Sequence, residues 1–321
     1  MGEEGHFLQQ RVVIIAGPTA SGKSALAIDL AREFSGLIIN ADSMQVYHEL
    51  DVLSARPPQR DLDQAPHRLY GVLAAADPCS VGRWLTMALA EIRAAWAEGQ
   101  LPLVVGGTGL YLKALLEGLA PIPAVAAEFR AQATALHHSL GGEAFREKLA
   151  SLDAQAAARI PAGDTQRLIR AYEVALATGI PLSDWQKDHP AAPPLQAAFC
   201  VIVLSPEREI LYEGVNQRFA WMMENGALDE VRALDALALD PALPAMKAVG
   251  VPELRGYLAG EYDLETAAED AKRATRQFAK RQMTWLRNQL VADLSIFAQY
   301  SESLRPEIFS FIRHFLLTPP Q

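Results

Sequence analysis

The chain has 321 residues, half of them hydrophobic, with 29 Lys and Arg against 38 Asp and Glu and a formal net charge of −9 at pH 7. This length buries a sizeable core in one large or two modest domains, and the apolar content excludes general disorder. The acidity argues against indiscriminate polyanion binding but leaves a local basic surface open, because steering follows the distribution of charge and not its sum.

The first ten residues, MGEEGHFLQQ, are neither basic nor apolar enough for a secretory leader, and no apolar run approaches the ~18 residues that span a bilayer. A cytoplasmic protein without membrane contact is expected. The only cysteines, Cys79 and Cys200, form no C-x-x-C pair, which indicates neither a zinc site nor a disulfide framework. His137 and His138 lack metal-ligand spacing.

Val12, Val13, Ile14, Ile15 and Ala16 make a short β-branched run that reads as a buried parallel strand, and Leu26, Ala27, Leu30 and Ala31 recur at helical spacing. Between them stand Gly17, Pro18, Thr19, Ala20, Ser21, Gly22, Lys23 and Ser24, which match the pattern G-x-x-x-x-G-K-[ST]. In such a loop the glycines let successive N–H groups point at a polyphosphate. The helix N-terminus and Lys23 add positive charge, and Ser24 holds Mg²⁺. The next buried run, Leu37 to Ile39, leads into NADSMQVY (Asn40 to Tyr47), where Asp42 is the first acid. A third run, Leu101 to Val105, ends in Gly106, Gly107 and Thr108, with no carboxylate to complete the metal site of an ATP-splitting enzyme. In an open parallel sheet the carboxyl ends of the strands line the ligand crevice, so the glycine loop, Asp42 and Thr108 should converge. That arrangement suits a diphosphate on one side and a proton acceptor on the other.

Alternating strands and helices over the first ~120 residues predict an α/β fold, a P-loop NTPase-like parallel sheet with helices on both faces. Residues 122–194 change character: they are rich in Ala, Leu, Glu and Arg, lack a β-branched run, and are bounded by PIP (Pro121 to Pro123) and HPAAPP (His189 to Pro194). They read as an inserted all-helical domain between a first core segment, 1–121, and a second, 195–321. One of its helices is capped by Asp164 and ended by Gly179, with Gln166, Arg167 and Arg170 exposed on its first turns. The chain rejoins the sheet at Phe199 to Leu204 and continues as helices. In the last long one, Leu264 to Asn288, Ala271, Ala274, Phe278 and Trp285 form the expected apolar face. Lys272, Arg276, Lys280 and Arg287 lie opposite, with Arg273 and Arg281 beside them and no acid between 272 and 287. A one-signed run in an acidic protein favours phosphate contact over a merely solvated face.

GPTASGKS, NADSMQVY, GGTGLY (Gly106 to Tyr111), DTQRLIRAYEV (Asp164 to Val174), NQRF (Asn216 to Phe219) and ATRQFAKRQMTWLRN (Ala274 to Asn288), in this order, resemble the tRNA dimethylallyltransferase family over residues 12–290. The resemblance implies that the glycine loop, with Mg²⁺ on Ser24, holds dimethylallyl diphosphate and releases pyrophosphate. It implies Asp42 as catalytic base, Thr108 as the contact to the target amine and Arg218 as a further diphosphate ligand. It also implies contacts to a tRNA anticodon stem-loop from Asp42, Ser43, Met44, Gln45, Gln166, Arg167, Leu168, Ile169, Arg170, Lys280, Arg281, Gln282 and Arg287; a monomer is the default expectation, which the sequence itself does not address. By the residues alone there are plainer readings: Asp42 as the cap of a helix beginning near Ser43, which its place at a strand end disfavours, Thr108 as a turn residue, Arg218 as a surface cation, and Arg167 and Arg170 as partners of acids such as Glu173. Where relatives read YRGMDIGTAKP and IGY, this chain has YHELDVLSARP (Tyr47 to Pro57) and Val249-Gly250-Val251 before Pro252, which leaves a tRNA contact at 251 open. A small-molecule P-loop kinase would need neither the cationic stripe nor the insertion. An adenylate isopentenyltransferase acting on free nucleotide would not need the insertion, and an RNA-binding module would not need the phosphate loop.

Overall fold

The apolar run after Arg11 takes the middle of a sheet. A computed structural model of the chain describes residues 10–188 and 191–318. They divide into two units, one built from residues up to 116 and from 194 onward, the other from residues 117–193. The first unit carries β1 (Arg11–Ala16), β2 (Gly36–Asn40), β3 (His67–Arg68), β4 (Leu101–Gly106), β5 (Ala198–Leu204) and β6 (Leu294–Ile296), ordered β3-β2-β4-β1-β5-β6. Every pair is parallel; Ala16 stands beside Gly106 on one side and Val203 on the other, and Asn40 beside Val105. Val12 to Ala16 are wholly buried, as expected where helices cover both faces of a parallel sheet. The short edge strands β3 and β6 are not predicted from the sequence, because two or three residues carry no periodicity to detect.

Helix α1 (Lys23–Glu33) follows β1 directly, and its buried Leu26, Ala27, Leu30 and Ala31 pack on the sheet. A single turn, α2 (Gln59–Leu62), precedes β3. Helix α3 (Val81–Ala97) starts where the Ser80 hydroxyl accepts the Arg83 N–H at 3.1 Å. Its Trp84 is fully buried and stacks on Tyr111 of α4 (Gly109–Glu117), ring centroids 4.4 Å apart.

The regular elements among the second unit's described residues are all helices: α5 (Ala127–Ala150), broken at Gly141, then α6 (Ala154–Arg159), α7 (Thr165–Thr178) and α8 (Leu182–Asp188). Of the proline-bearing stretch that closes the expected insertion, His189 and Pro190 lie outside the described residues, as does most of MGEEGHFLQQ. Phe145, Leu149, Leu168, Tyr172 and Val174 form the unit's core. Asp164 caps α7 by accepting the Arg167 N–H at 3.3 Å, and Gly179 ends it in the left-handed region. Asp153 does more than cap α6: buried, it accepts from the Ala156 N–H, the Ser183 N–H and the Ser183 hydroxyl, joining the starts of α6 and α8.

After β5 the first unit resumes with α9 (Arg208–Glu224), which starts two residues beyond Pro206, α10 (Ala227–Ala236), α11 (Val251–Leu258), α12 (Leu264–Gln289) and, after β6, α13 (Arg305–Leu317). The face of α12 that is fully buried runs through Ala267, Ala271, Ala279, Gln282 and Leu286. This corrects the expected face: Ala274, Phe278 and Trp285 are only partly buried, because α12 turns mostly small side chains and one polar one, Gln282, inward. Helix α13 is tied back to the start of the sheet by Arg11, whose guanidinium donates at 2.6 Å to the carbonyls of both Phe315 and Thr318. The cation thereby meets the negative end of α13, and burial lowers its pKa.

Candidate active site

The loop Gly17–Ser24 leaves β1 at its carboxyl end and turns into α1 through Gly22, whose φ of 89° a side chain would resist. Ala20 also has positive φ, 63°, and is held there by burial against Leu211, Val215 and Ala279 of α9 and α12. The Pro18 carbonyl accepts from Lys23 Nζ at 2.6 Å and from the Ser21 hydroxyl at 2.9 Å. Arg218 of α9 donates from Nη1 to Thr19 Oγ1 at 3.3 Å, so the arginine is brought to the loop and is not a surface cation. From the far end of the chain, the Tyr300 N–H donates to the Ser21 carbonyl at 3.1 Å and Gln299 Nε2 to the Ala20 carbonyl at 3.3 Å. Ser24 stands exposed in the first turn of α1.

Strands β4 and β2 lie in order beside β1, so the residues at their carboxyl ends face the same crevice as the loop. Asp42 comes just after β2 and no helix begins there; its Oδ1 accepts the Met44 N–H at 2.9 Å in a local turn. The segment is set by Asn40, fully buried: its Oδ1 accepts the Asp42 N–H at 2.8 Å, and its Nδ2 donates to the carbonyls of Asp42 and Leu69 at 3.0 and 3.1 Å. The Asn40 carbonyl in turn accepts from the Trp84 indole at 2.8 Å. After β4, Thr108 Oγ1 accepts the Ser43 N–H at 2.9 Å and donates to the Ser43 hydroxyl at 3.3 Å, so the Thr108 turn and the Asp42 segment are cross-linked.

The electrostatics result from crowding charge into this crevice. Burial pushes the Lys23 ammonium down to about 7, with Arg218 lowering it further and Asp42 opposing. Burial raises the Asp42 carboxyl against the pull of the Met44 N–H and of Lys23. Burial also lowers the Arg218 guanidinium. Among the described residues no three His, Cys, Asp or Glu side chains gather to hold a metal. The oxygen donor on offer is the exposed hydroxyl of Ser24, which suits a hard cation that keeps water and takes its remaining ligands from a bound diphosphate.

The IPP transferase family model matches residues 45–289, and an isopentenyl transferase model matches residues 10–73. The tRNA dimethylallyltransferase of Paramagnetospirillum magneticum is 52% identical over 308 residues, covering 96% of this chain and 98% of that protein. The chain belongs to the tRNA dimethylallyltransferase family. Its Rhodospirillum centenum relative of the same name is 54% identical over 281 residues, 88% of this chain and 90% of the relative. Among solved structures, the tRNA isopentenylpyrophosphate transferase of Bacillus halodurans superposes with a TM-score of 0.70 at 32% identity, covering 96% of this chain and 97% of that one. A eukaryotic dimethylallyltransferase described as acting on tRNA superposes with a TM-score of 0.83 at 25% identity over 97% of this chain and 81% of that one.

Within this chain, the residues the family resemblance marked for RNA separate by environment. Lys280, Arg281 and Arg287 of α12 are exposed, and no carboxylate lies in ion-pair reach of them among the described residues. The amino-terminal part of the stripe is different. Lys272 pairs with Glu269 and Arg273 with Asp270, acids one turn upstream that a count begun at 272 leaves out, and Arg276 donates to Asn216. Gln282 is buried and bonded to the loops of the crevice, so its amide is not free for RNA. In the second unit, Leu168 and Ile169 are core residues whose side chains do not reach a ligand, a correction that follows from their phase on α7. Gln166 and Arg167 are exposed, Arg167 beside its cap Asp164, while Arg170 is drawn to the buried Glu173 at 2.6 Å, with Arg130 on that carboxylate's other oxygen at 3.5 Å. Gln45 spends its Nε2 on the Ser54 and Ala55 carbonyls, both at 2.9 Å. Ser43 and Met44 are half-buried beside Asp42.

Two features escaped the sequence. Glu230 of α10 accepts the N–H groups of Asp51, Val52 and Leu53 at 2.8, 2.6 and 3.0 Å, pinning the loop that follows Tyr47. Leu53 packs over Gly250, where an added β-carbon would lie 2.8 Å from its Cδ2, so the 47–57 loop meets the glycine that stands between Val249 and Val251. Neither contact has a sequence signature, since the partners lie far apart along the chain.

Proposed function

We propose that the protein transfers the dimethylallyl group of dimethylallyl diphosphate to N6 of the adenosine beside the anticodon of a tRNA, releasing diphosphate. The observation that carries this reading is the pairing of a phosphate loop with a carboxylate at a nearby strand end, Lys23 and Asp42 lying near enough to shift each other's titration. N6 is a weak nucleophile because its lone pair is delocalised into the ring, so a base on its N–H must act as the bond to carbon forms. In the proposed step N6 attacks C1, the C1–O bond breaks toward the diphosphate, and Asp42 takes the N6 proton. The raised Asp42 carboxyl is the stronger base for it. Loop amides, Lys23 and Arg218 meet the charge that grows on the leaving oxygens without having to reorganise. Ser24 would hold Mg²⁺ with the diphosphate, where the ion supplies charge neutralisation to the leaving group.

Thr108 and Ser43, already bonded to each other, would orient the amine at Asp42. A base in a single-stranded loop is extruded for a few kcal/mol, which suits entry into a crevice at the carboxyl ends of the strands. The exposed Lys280, Arg281 and Arg287 would take the RNA backbone, with Gln166 and Arg167 as further contacts. The reading makes the protein a monomer working in the cytoplasm. Incubation with an unmodified tRNA transcript, dimethylallyl diphosphate and Mg²⁺ should add one prenyl mass to one adenosine, read by mass spectrometry of the digested nucleosides, with AMP left unmodified. Prenylation of AMP but not of tRNA would overturn the assignment.

A further inference from the structure

Gln282 lies on the buried face of α12, only 7% exposed, and its amide bridges two loops from different strands. Its Oε1 accepts the Thr19 N–H at 3.0 Å, and its Nε2 donates to the Gly107 carbonyl at 3.1 Å. Thr19 sits in the phosphate loop after β1, and Gly107 is in the turn after β4 that presents Thr108. The approach is close enough to demand small residues opposite it: a β-carbon on Gly107 would collide with the Gln282 amide, and one on Gly109 with the Trp285 ring. Thr19 is also the residue whose hydroxyl receives Arg218. One side chain thus touches the loop assigned to the diphosphate, the turn assigned to the acceptor amine and, through Thr19, the arginine. A primary amide is the neutral side chain that offers one acceptor and one donor in a single plane, which is what an N–H and a C=O facing the same point require.

We propose that Gln282 is a positioning residue for the transfer, holding the Thr19 amide and the Gly107 carbonyl so that the phosphate loop and the Thr108 turn keep a fixed separation across the crevice. It acts from the same helix that exposes Lys280, Arg281 and Arg287, so the element that would meet RNA also braces the loop that would hold diphosphate. With Gln282 removed, Thr19 N–H and Gly107 C=O lose buried partners, and the loop relaxes away from the geometry the diphosphate needs.

The inference rests on the proposed prenyl transfer, and binding of inorganic pyrophosphate separates the two because it requires no turnover. Two variants serve: Gln282→Met, near in volume without either hydrogen bond, and Gln282→Glu. Titration calorimetry with Mg²⁺ and pyrophosphate should show Gln282→Met weakened about tenfold, the factor that about 1.4 kcal/mol represents, as the two lost hydrogen bonds act on the ligand only through the loop position. The KM for dimethylallyl diphosphate should rise similarly, while tRNA affinity measured without diphosphate stays within about twofold of the parent. Gln282→Glu keeps the acceptor but loses the donor until the carboxyl protonates, after which it reproduces both bonds; its activity relative to the parent should therefore climb as pH falls. Parent-like pyrophosphate affinity and KM in Gln282→Met would overturn the proposal. Loss of tRNA affinity with pyrophosphate binding intact would return Gln282 to an RNA contact. If Gln282→Met does not fold, the pH dependence of Gln282→Glu decides, a flat ratio overturning the role; loss of the fold in both variants would make Gln282 structural and no more.

Discussion

Asp42 and Lys23 carry opposite charges in one crevice, and each bears a prediction whose sign comes from burial. Asp42→Asn keeps the shape and the Met44 contact through its amide oxygen but cannot accept the N6 proton, so single-turnover prenyl transfer should slow by roughly 10²–10⁴-fold while tRNA affinity holds. Because the Asp42 carboxyl is raised, parent activity should increase with pH through that elevated value, a limb absent from the residual rate of Asp42→Asn. Lys23, pushed down to about 7, is only partly protonated at neutral pH when the crevice is empty. A diphosphate beside it restores the ordinary range, so binding takes up a proton: affinity is greatest below pH 7 and declines above it. Calorimetry near pH 8 in buffers of differing ionisation enthalpy should count proton uptake that disappears in Lys23→Arg, since arginine stays charged throughout. The same depression acts on folding. The unfolded chain binds the proton more tightly between about 7 and the ordinary lysine value of 10.5, so the Lys23 contribution to stability is least favourable below 7 and improves as pH rises through that window.

Elements in this molecule are held at their ends by single side chains reaching across long stretches of sequence. Glu230 at the start of α10 satisfies three consecutive N–H groups of the 51–53 loop, an anion in a concave set of amides. Glu230→Ala should destabilise the protein by about 1–3 kcal/mol, the cost of leaving such donors unpaired, whereas Glu230→Gln, still an acceptor, should recover part of it; chemical denaturation measures both. Arg11 holds α13 by its last carbonyls. Arg11→Met should lower the melting temperature and loosen amide protection in α13 and β6 before β1, as hydrogen exchange resolves by segment.

At the scale of the whole chain, a net charge of −9 and the proposed grip on a polyanion are compatible only if the cations are placed apart from the acids. The exposed, acid-free cations of α12 are Lys280, Arg281 and Arg287, while Lys272 and Arg273 are already paired. Lys280→Gln with Arg287→Gln should weaken tRNA binding and flatten the slope of log K against log salt by roughly 0.7 to 0.9 per lost phosphate contact, with melting unchanged. Lys272→Gln with Arg273→Gln should leave that slope near the parent value. Filter binding across a salt series distinguishes the pairs, and equal slopes for both would remove α12 from the RNA path.

Local chemistry was sufficient where a segment announces itself within a few residues. A β-branched run, a glycine loop and a helical repeat place Gly17–Ser24 at a strand end, and the acid and the threonine after the two neighbouring runs join it there, because parallel strands deliver their carboxyl ends to one edge. The sequence likewise marked Asp164 and Gly179 as the limits of α7, since caps act over three or four positions. What only the tertiary structure decided is which polar groups are spent on the protein itself. Gln282 looks like a solvent-facing residue of an amphipathic helix, yet it is buried against Thr19 and Gly107, and of the two readings open for Arg170, an RNA contact or an acid such as Glu173, the structure takes the second. Asn40, Glu230 and Asp153 read as ordinary polar residues, and their importance comes from N–H and C=O groups brought to them from elsewhere in the chain. Burial and distant partnership depend on how elements pack, and packing is set by the sum of many weak contacts that no short window of sequence contains.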